Sequence, residues 1–154
     1  MANKNLIVYY SRTGLSERLA KALQEKLGGD IDQITYADRD KVSFASAGWE
    51  ALRKATAKFK GDVHDAGEYD KIFFISPVWA SALATPIRSY MAVNKGKIKA
   101  YSMLVTCGGS GLEGALKDAL ATPPKTQSSS SQRKYSRAAL AWIALPNKQK
   151  RRLT

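Results

Sequence analysis

Residues 4–16 read KNLIVYYSRTGLS. A β-branched and aromatic run ends abruptly at Ser11-Arg12-Thr13-Gly14-Leu15-Ser16. The run predicts a buried strand, and the hydroxyls and glycine predict a tight turn. Beyond it, Leu15, Leu19, Ala22, Leu23 and Leu27 recur at helical spacing, with Glu17, Arg18, Lys21 and Gln24 between them. That is an amphipathic helix. Gly28-Gly29 closes it, as glycines do at helix C-termini. Ile31–Tyr36 then alternates as a second strand. Strand, tight turn, helix, strand is the opening of an α/β fold.

The rest of the chain extends that pattern. Phe44–Phe59 predicts a helix packed through Trp49, Leu52, Ala55 and Phe59. Residues 60–70 read as a polar connection rich in Asp and Gly, holding the single His64 as a solvated loop histidine. KIFFIS (71–76) predicts a third strand, apolar on both faces like a strand in a covered parallel sheet. Pro77 is expected to end it. Residues 77–85 read as a loop, and Pro86 suits the first turn of a helix running to about Val93. KAYSMLVT (99–106) predicts a fourth strand, CGGSG (107–111) a flexible loop, and Leu112 to about Leu120 a helix.

Length and composition bound the function. A chain of 154 residues fits one domain with a real core. One cysteine excludes an internal disulfide framework and a cysteine-rich zinc cage, and one histidine argues against a multi-His metal site. No apolar run approaches the roughly 18 residues that a membrane span needs. MANKNLIVYY lacks signal-peptide anatomy, so the cytoplasm is the expected compartment. The net charge of +12 is uneven: residues 121–154 carry 8 Lys and Arg and no acid. A basic tail of that kind favours incidental, non-specific contact with nucleic acid or an anionic surface.

Three loops follow the C-terminal ends of strands one, three and four. In an open α/β sheet, ligands bind beyond those ends. In the first loop, Gly14 permits close backbone approach, Ser11, Thr13 and Ser16 offer hydroxyls, and the helix N-terminus presents free N–H groups. That combination suits a phosphate. An ordinary Ser/Thr-rich helix cap fits the pattern equally well. Neither GxxxxGK[ST] nor GxGxxG is present.

These residues carry a resemblance. Strand-[ST]-x-T-G-x-[ST]-helix resembles the FMN-phosphate loop of the flavodoxin-like family. YDKIFFISPVWASALATPIRSYM (69–91) is similar to the family's third strand and the loop flanking the flavin, and VTCGGSG (105–111) to its second flavin-contacting loop. The resemblance implies an α/β three-layer sandwich with a parallel sheet in the order 2-1-3-4-5, over residues 1–120 as an FMN-binding domain. It implies that Ser11, Thr13, Gly14 and Ser16, with the backbone of Arg12 and Leu15, cradle the FMN phosphate. Pro77, Val78, Trp79 and Ala80 would line the isoalloxazine ring, and Thr106, Cys107, Gly108 and Gly109 would cover its other side. Trp79 offers a flat π-surface for that purpose. Cys107 reads as a small loop residue beside the flavin, since no partner base for a nucleophile is evident. The implied activity is electron transfer to a redox partner protein or to a small acceptor such as a quinone.

The chain departs from the family in two respects. Many flavodoxins are acidic around the flavin, whereas residues 1–120 hold 17 basic against 13 acidic side chains. That favours a small-molecule acceptor over docking on a basic reductase. The family's fifth strand should begin near residue 124, yet PKTQSSSSQRKYSR stands there. AALAWIAL (138–145) could replace it, but no acidic amphipathic helix follows, so the fifth strand and last helix are doubtful or missing. A shifted reading frame would explain both the lost strand and the lost acids. Trp142-Ile143 must be encoded TGG-ATN, and reading from the last base of the first codon gives GAT, aspartate. The other reading of residues 121–154 is a disordered, low-complexity basic extension. The function class that competes with the flavoprotein is a non-catalytic module binding nucleic acid or an anionic surface through this tail. A C-terminally altered product without flavin is the third alternative.

Overall fold

A computed structural model describes residues 3–37, 57–107, 111–121 and 140–142. Its elements are β1 (Asn5–Tyr9), α1 (Leu15–Leu27), β2 (Asp30–Gln33), β3 (Thr35–Tyr36), β4 (Phe59–Lys60), a 3-10 turn (Ala66–Glu68), β5 (Lys71–Trp79), β6 (Ala82–Leu83), α2 (Thr85–Val93), β7 (Tyr101–Thr106), α3 (Leu112–Ala121) and β8 (Leu140–Trp142). The main sheet runs β2-β1-β5-β7-β8, all parallel, with β6 folded back on β5. This is the 2-1-3-4-5 order expected from the sequence.

Side chains alternate cleanly between two apolar faces. Leu6, Val8, Ile72, Phe74, Met103 and Val105 point one way, into a core completed by Ile87, Tyr90 and Met91 of α2 and by Ala115 and Ala119 of α3. Ile7, Tyr9, Ile75 and Leu104 point the other way and meet Ala20, Leu19 and Leu23 of α1. The strands are apolar on both faces because both faces are covered.

Four local expectations need revision. The second strand breaks at Ile34, and Thr35–Tyr36 pairs antiparallel with Phe59–Lys60 in a separate ribbon. Phe59 is therefore a strand residue, while residues 44–56 of the expected helix, Trp49 among them, lie outside the described residues. Pro77 does not end its strand. It pairs with Thr106 at the last rung of the parallel ladder, and the chain continues to Trp79 before turning back. Proline is tolerated there because pairing is ending and few ladder bonds remain to be donated. His64 is not simply solvated: its Nδ1 lies 2.7 Å from Asp32 Oδ1, and its backbone N–H donates to Asp32 Oδ2 at 3.0 Å. Asp32 is fully buried, so these bonds satisfy both of its oxygens.

The fifth strand is present, as three residues. Leu140, Ala141 and Trp142 pair in parallel with Met103, Leu104 and Val105. The middle of AALAWIAL thus takes the fifth place in the sheet. The question of a last helix falls on residues outside those described.

Candidate functional site

The three loops singled out from the sequence meet at the carboxyl ends of β1, β5 and β7. Tyr9 pairs with Ile75, and Pro77 with Thr106, so the strands end nearly level. The Tyr10 N–H also donates to the Ile75 carbonyl at 3.1 Å, which brings the first loop beside the second.

The first loop turns at Gly14, whose φ of 87° and ψ of −8° lie in the left-handed region. A glycine reaches that conformation at no steric cost. Its N–H donates to Ser11 Oγ at 3.0 Å, which folds the loop into a compact bend. Gly14 is also the N-cap of α1 and brings no side-chain cap. The first turn of this 13-residue helix therefore has no capping hydroxyl at its N-cap, an arrangement that could receive an anion. Arg12 and Thr13 are exposed at the rim, and Leu15 is half-buried. Glu17 is the acid of the first turn, and Lys21 Nζ pairs with it at 2.7 Å. The hydrogen bond from Lys21 tempers the charge that would otherwise repel an anion.

Ser16 joins the first loop to the third. Its Oγ lies 3.1 Å from Thr106 Oγ1, and both residues are buried. Each hydroxyl thus has a partner and keeps further hydrogen-bonding capacity. Cys107 follows, half-buried and free. Gly108 and Gly109, expected over the ring, lie outside the described residues.

The second loop is a hairpin. Val78 pairs with Leu83 and Trp79 with Ala82, leaving Ala80 and Ser81 as a two-residue tip. Both tip residues have positive φ, 46° and 60°, the pattern of a type I′ turn. Such turns favour Asn-Gly, so Ala-Ser must be held there by its surroundings. Gly111 and Gly114 do the holding. A Cβ on Gly111 would come within 3.1 Å of Val78 Cγ1 and 3.2 Å of Ser81 Cα. A Cβ on Gly114 would run into the Ser81 carbonyl and stand 2.6 Å from its Cβ. Ser81 therefore seats in a glycine-lined notch at the start of α3. Trp79 is half-buried and meets Tyr10 edge-on, with ring centroids 5.1 Å apart, and Tyr10 meets Tyr36 at 6.0 Å. Pro77 and Val78 are half-buried beside it, and Ala80 stands exposed at the tip.

The sequence missed the residues that support this site. Tyr10 reads as the end of a strand, with no mark of a further role. Gly114 reads as an indifferent helical residue. Arg88 and Asp118 did leave a trace, as single charges of opposite sign on otherwise apolar helix faces. Among the described residues, no group of three or more His, Cys, Asp or Glu could hold a metal ion, and no helix is long and apolar enough to cross a membrane.

Comparison with known proteins agrees with this geometry. Residues 4–141 match the family model for flavodoxins. Among solved structures, the chain is similar to a flavoprotein from Lactobacillus acidophilus crystallised in complex with FMN. The TM-score is 0.67 at 19% identity, over 92% of this chain and 91% of that one. The apo form of a flavoprotein from the same organism, solved by NMR, gives 0.62 at 21% identity, over 94% and 91% of the two chains. A Bacteroides eggerthii protein assigned as a flavoprotein gives 0.63 at 22% identity, over 98% and 95%. No match was found among curated proteins.

Proposed function

Because this chain belongs to the flavodoxin family, we propose that it binds FMN at the carboxyl ends of β1, β5 and β7. We infer that it passes electrons to a redox partner protein or to a small acceptor such as a quinone, in the cytoplasm. The observation that carries the reading is the meeting of the uncapped N-terminus of α1 with the buried Ser16–Thr106 hydroxyl pair and the Trp79 hairpin. One end suits a phosphate, and the other offers a flat aromatic wall.

The residues fit the group. Ser11, Thr13 and Ser16 supply hydroxyl donors to a phosphate, and Gly14 and Leu15 bring backbone N–H groups to it. Arg12 stands at the rim, where its charge favours an anion's approach. Pro77, Val78 and Trp79 exclude water from one side of the ring, and Thr106 and Cys107 border the other. FMN, when bound, supplies the redox chemistry. The protein's part is to orient the ring and leave one edge accessible to an acceptor. The mildly basic body supports an acceptor that is small or anionic over a basic protein partner.

The test is a visible spectrum of protein purified with FMN and freed of excess flavin. Bound flavin that is lost when Thr13 and Ser16 are both changed to Ala is the expected result. A folded, soluble sample that retains no flavin would overturn the reading. For residues 121–154, expected from the sequence to lie beyond a domain spanning 1–120 but contributing β8 to the sheet at Leu140–Trp142, we propose a basic extension or a segment altered by a shifted frame. Sequencing the gene decides whether the alternative frame encodes a periodic acidic helix, and stop codons in that frame would end the idea of a shift.

A further inference from the structure

The hairpin that carries Trp79 is anchored by an ion pair buried between two helices. Arg88 lies on α2 and Asp118 on α3, and their side chains are 5% and 3% exposed. Asp118 Oδ2 accepts from the Leu83 N–H at 3.1 Å and from Arg88 Nε at 3.2 Å. Arg88 Nη2 donates to the Leu83 carbonyl at 3.1 Å. Both backbone groups of one residue are therefore held by one charged pair. Leu83 is the partner of Val78 across the hairpin. The next residue is fixed as well: the Ala84 N–H donates to the buried Ser76 Oγ at 2.9 Å.

A two-residue β6 cannot fix a hairpin by its own pairing. The N–H and C=O of Leu83 face the interior, where each needs a partner. An apolar pair of similar volume would commonly fold at least as well as a buried ion pair, because burying two charges is costly. Packing alone therefore does not account for Arg88 and Asp118. Their joint hold on Leu83 gives them a positional role.

We propose that Arg88 and Asp118 are positioning residues for the flavin-ring half of the site, acting through Leu83 on Val78 and Trp79. The proposal rests on the FMN reading for its ligand but not for its geometry. The double variant Arg88→Met/Asp118→Leu replaces the pair with apolar side chains. In the flavin-free chain, the Leu83 amide should exchange with solvent at least tenfold faster, and the Trp79 indole resonance should shift or broaden. The Kd for FMN should rise at least tenfold, and the melting temperature should fall by several degrees because the buried Leu83 N–H and C=O lose their partners. Asp118→Asn keeps an acceptor for the Leu83 N–H but loses the charge that pairs with Arg88, so Leu83 exchange and the Kd for FMN should each rise by about threefold. A folded double variant with unchanged Leu83 exchange, unchanged Trp79 signal or unchanged FMN affinity overturns the proposal. Should the double variant not fold, Asp118→Asn decides. A measurable rise in Leu83 exchange together with weaker FMN binding supports the assignment, and no change in either refutes it. A parent chain that binds no FMN would sink the functional reading, while Leu83 exchange and the Trp79 resonance would still judge the anchor.

Discussion

The Ser11–Ser16 loop and the Trp79 hairpin reach the same end of the sheet by different routes. The loop is built almost entirely from its own residues: a strand end, a left-handed Gly14, a Ser11 bend and a helix that must begin somewhere. The hairpin is built from outside. Its tip is held in an unfavourable turn by Gly111 and Gly114, its return strand by Arg88 and Asp118, and its indole by Tyr10. Local chemistry makes the first half, and long-range packing makes the second.

Gly114→Ala should break the second half most severely. Alanine would help an isolated helix, but here its Cβ collides with Ser81, and overpacking costs about 1–3 kcal/mol. A melting temperature several degrees lower is expected, with FMN binding weakened and the first loop's backbone resonances unmoved. Movement of both halves together would erase the distinction drawn between them.

Ser16→Ala tests the first half. It strands the buried Thr106 hydroxyl, at a cost of about 1–3 kcal/mol. The affinity for FMN should fall more than the affinity for riboflavin, which lacks the phosphate. Equal losses for both ligands would place Ser16 elsewhere in the site.

A smaller effect, of opposite sign, is expected at the hairpin tip. Replacing Ala80 and Ser81 with Asn and Gly matches the residues to the turn and should stabilise the fold by about 1 kcal/mol. Thermal unfolding measures it, and a loss of stability would show that Ser81's side chain matters more in its notch than its backbone does.

Tyr69 serves as a control. Burial, reinforced by the hydrogen bond it donates to Asp30 Oδ2 at 2.6 Å, raises its pKa well above the ordinary value near 10. The folded chain keeps this proton after the unfolded chain has lost it, so its contribution is full below about pH 10 and fades as the pH rises further. Tyr69→Phe should flatten part of that alkaline decline and leave FMN affinity unchanged. A shift in affinity would mean that this distant contact reaches the site.

The same division explains what the sequence made legible. β1, α1, β5 and β7 follow from periodicity, because their apolar faces are written in consecutive residues. The turn at Ser11–Ser16 is legible for the same reason. The hairpin read as a loop, since two-residue β6 carries no period and Ala-Ser is not a turn signal. Phe59 read as helical because a lone aromatic fits either period, and its strand partners, Thr35 and Tyr36, are far away in the chain. Asp32 and His64 read as unrelated polar residues because only the fold brings them together. β8 was in doubt because three residues of pairing are too few to stand out in a single apolar run.

The Ser16–Thr106 contact also sets an order in time. Its two partners lie 90 residues apart, so the first loop leaves the ribosome long before the hydroxyl it needs. At typical synthesis rates that interval is on the order of ten seconds. For most of that interval, until Pro77–Trp79 emerge, the nascent chain holds the first loop without the proposed ring wall. On the proposed reading, a flavin-competent site arises only late in translation, and cofactor capture falls to the nearly finished chain.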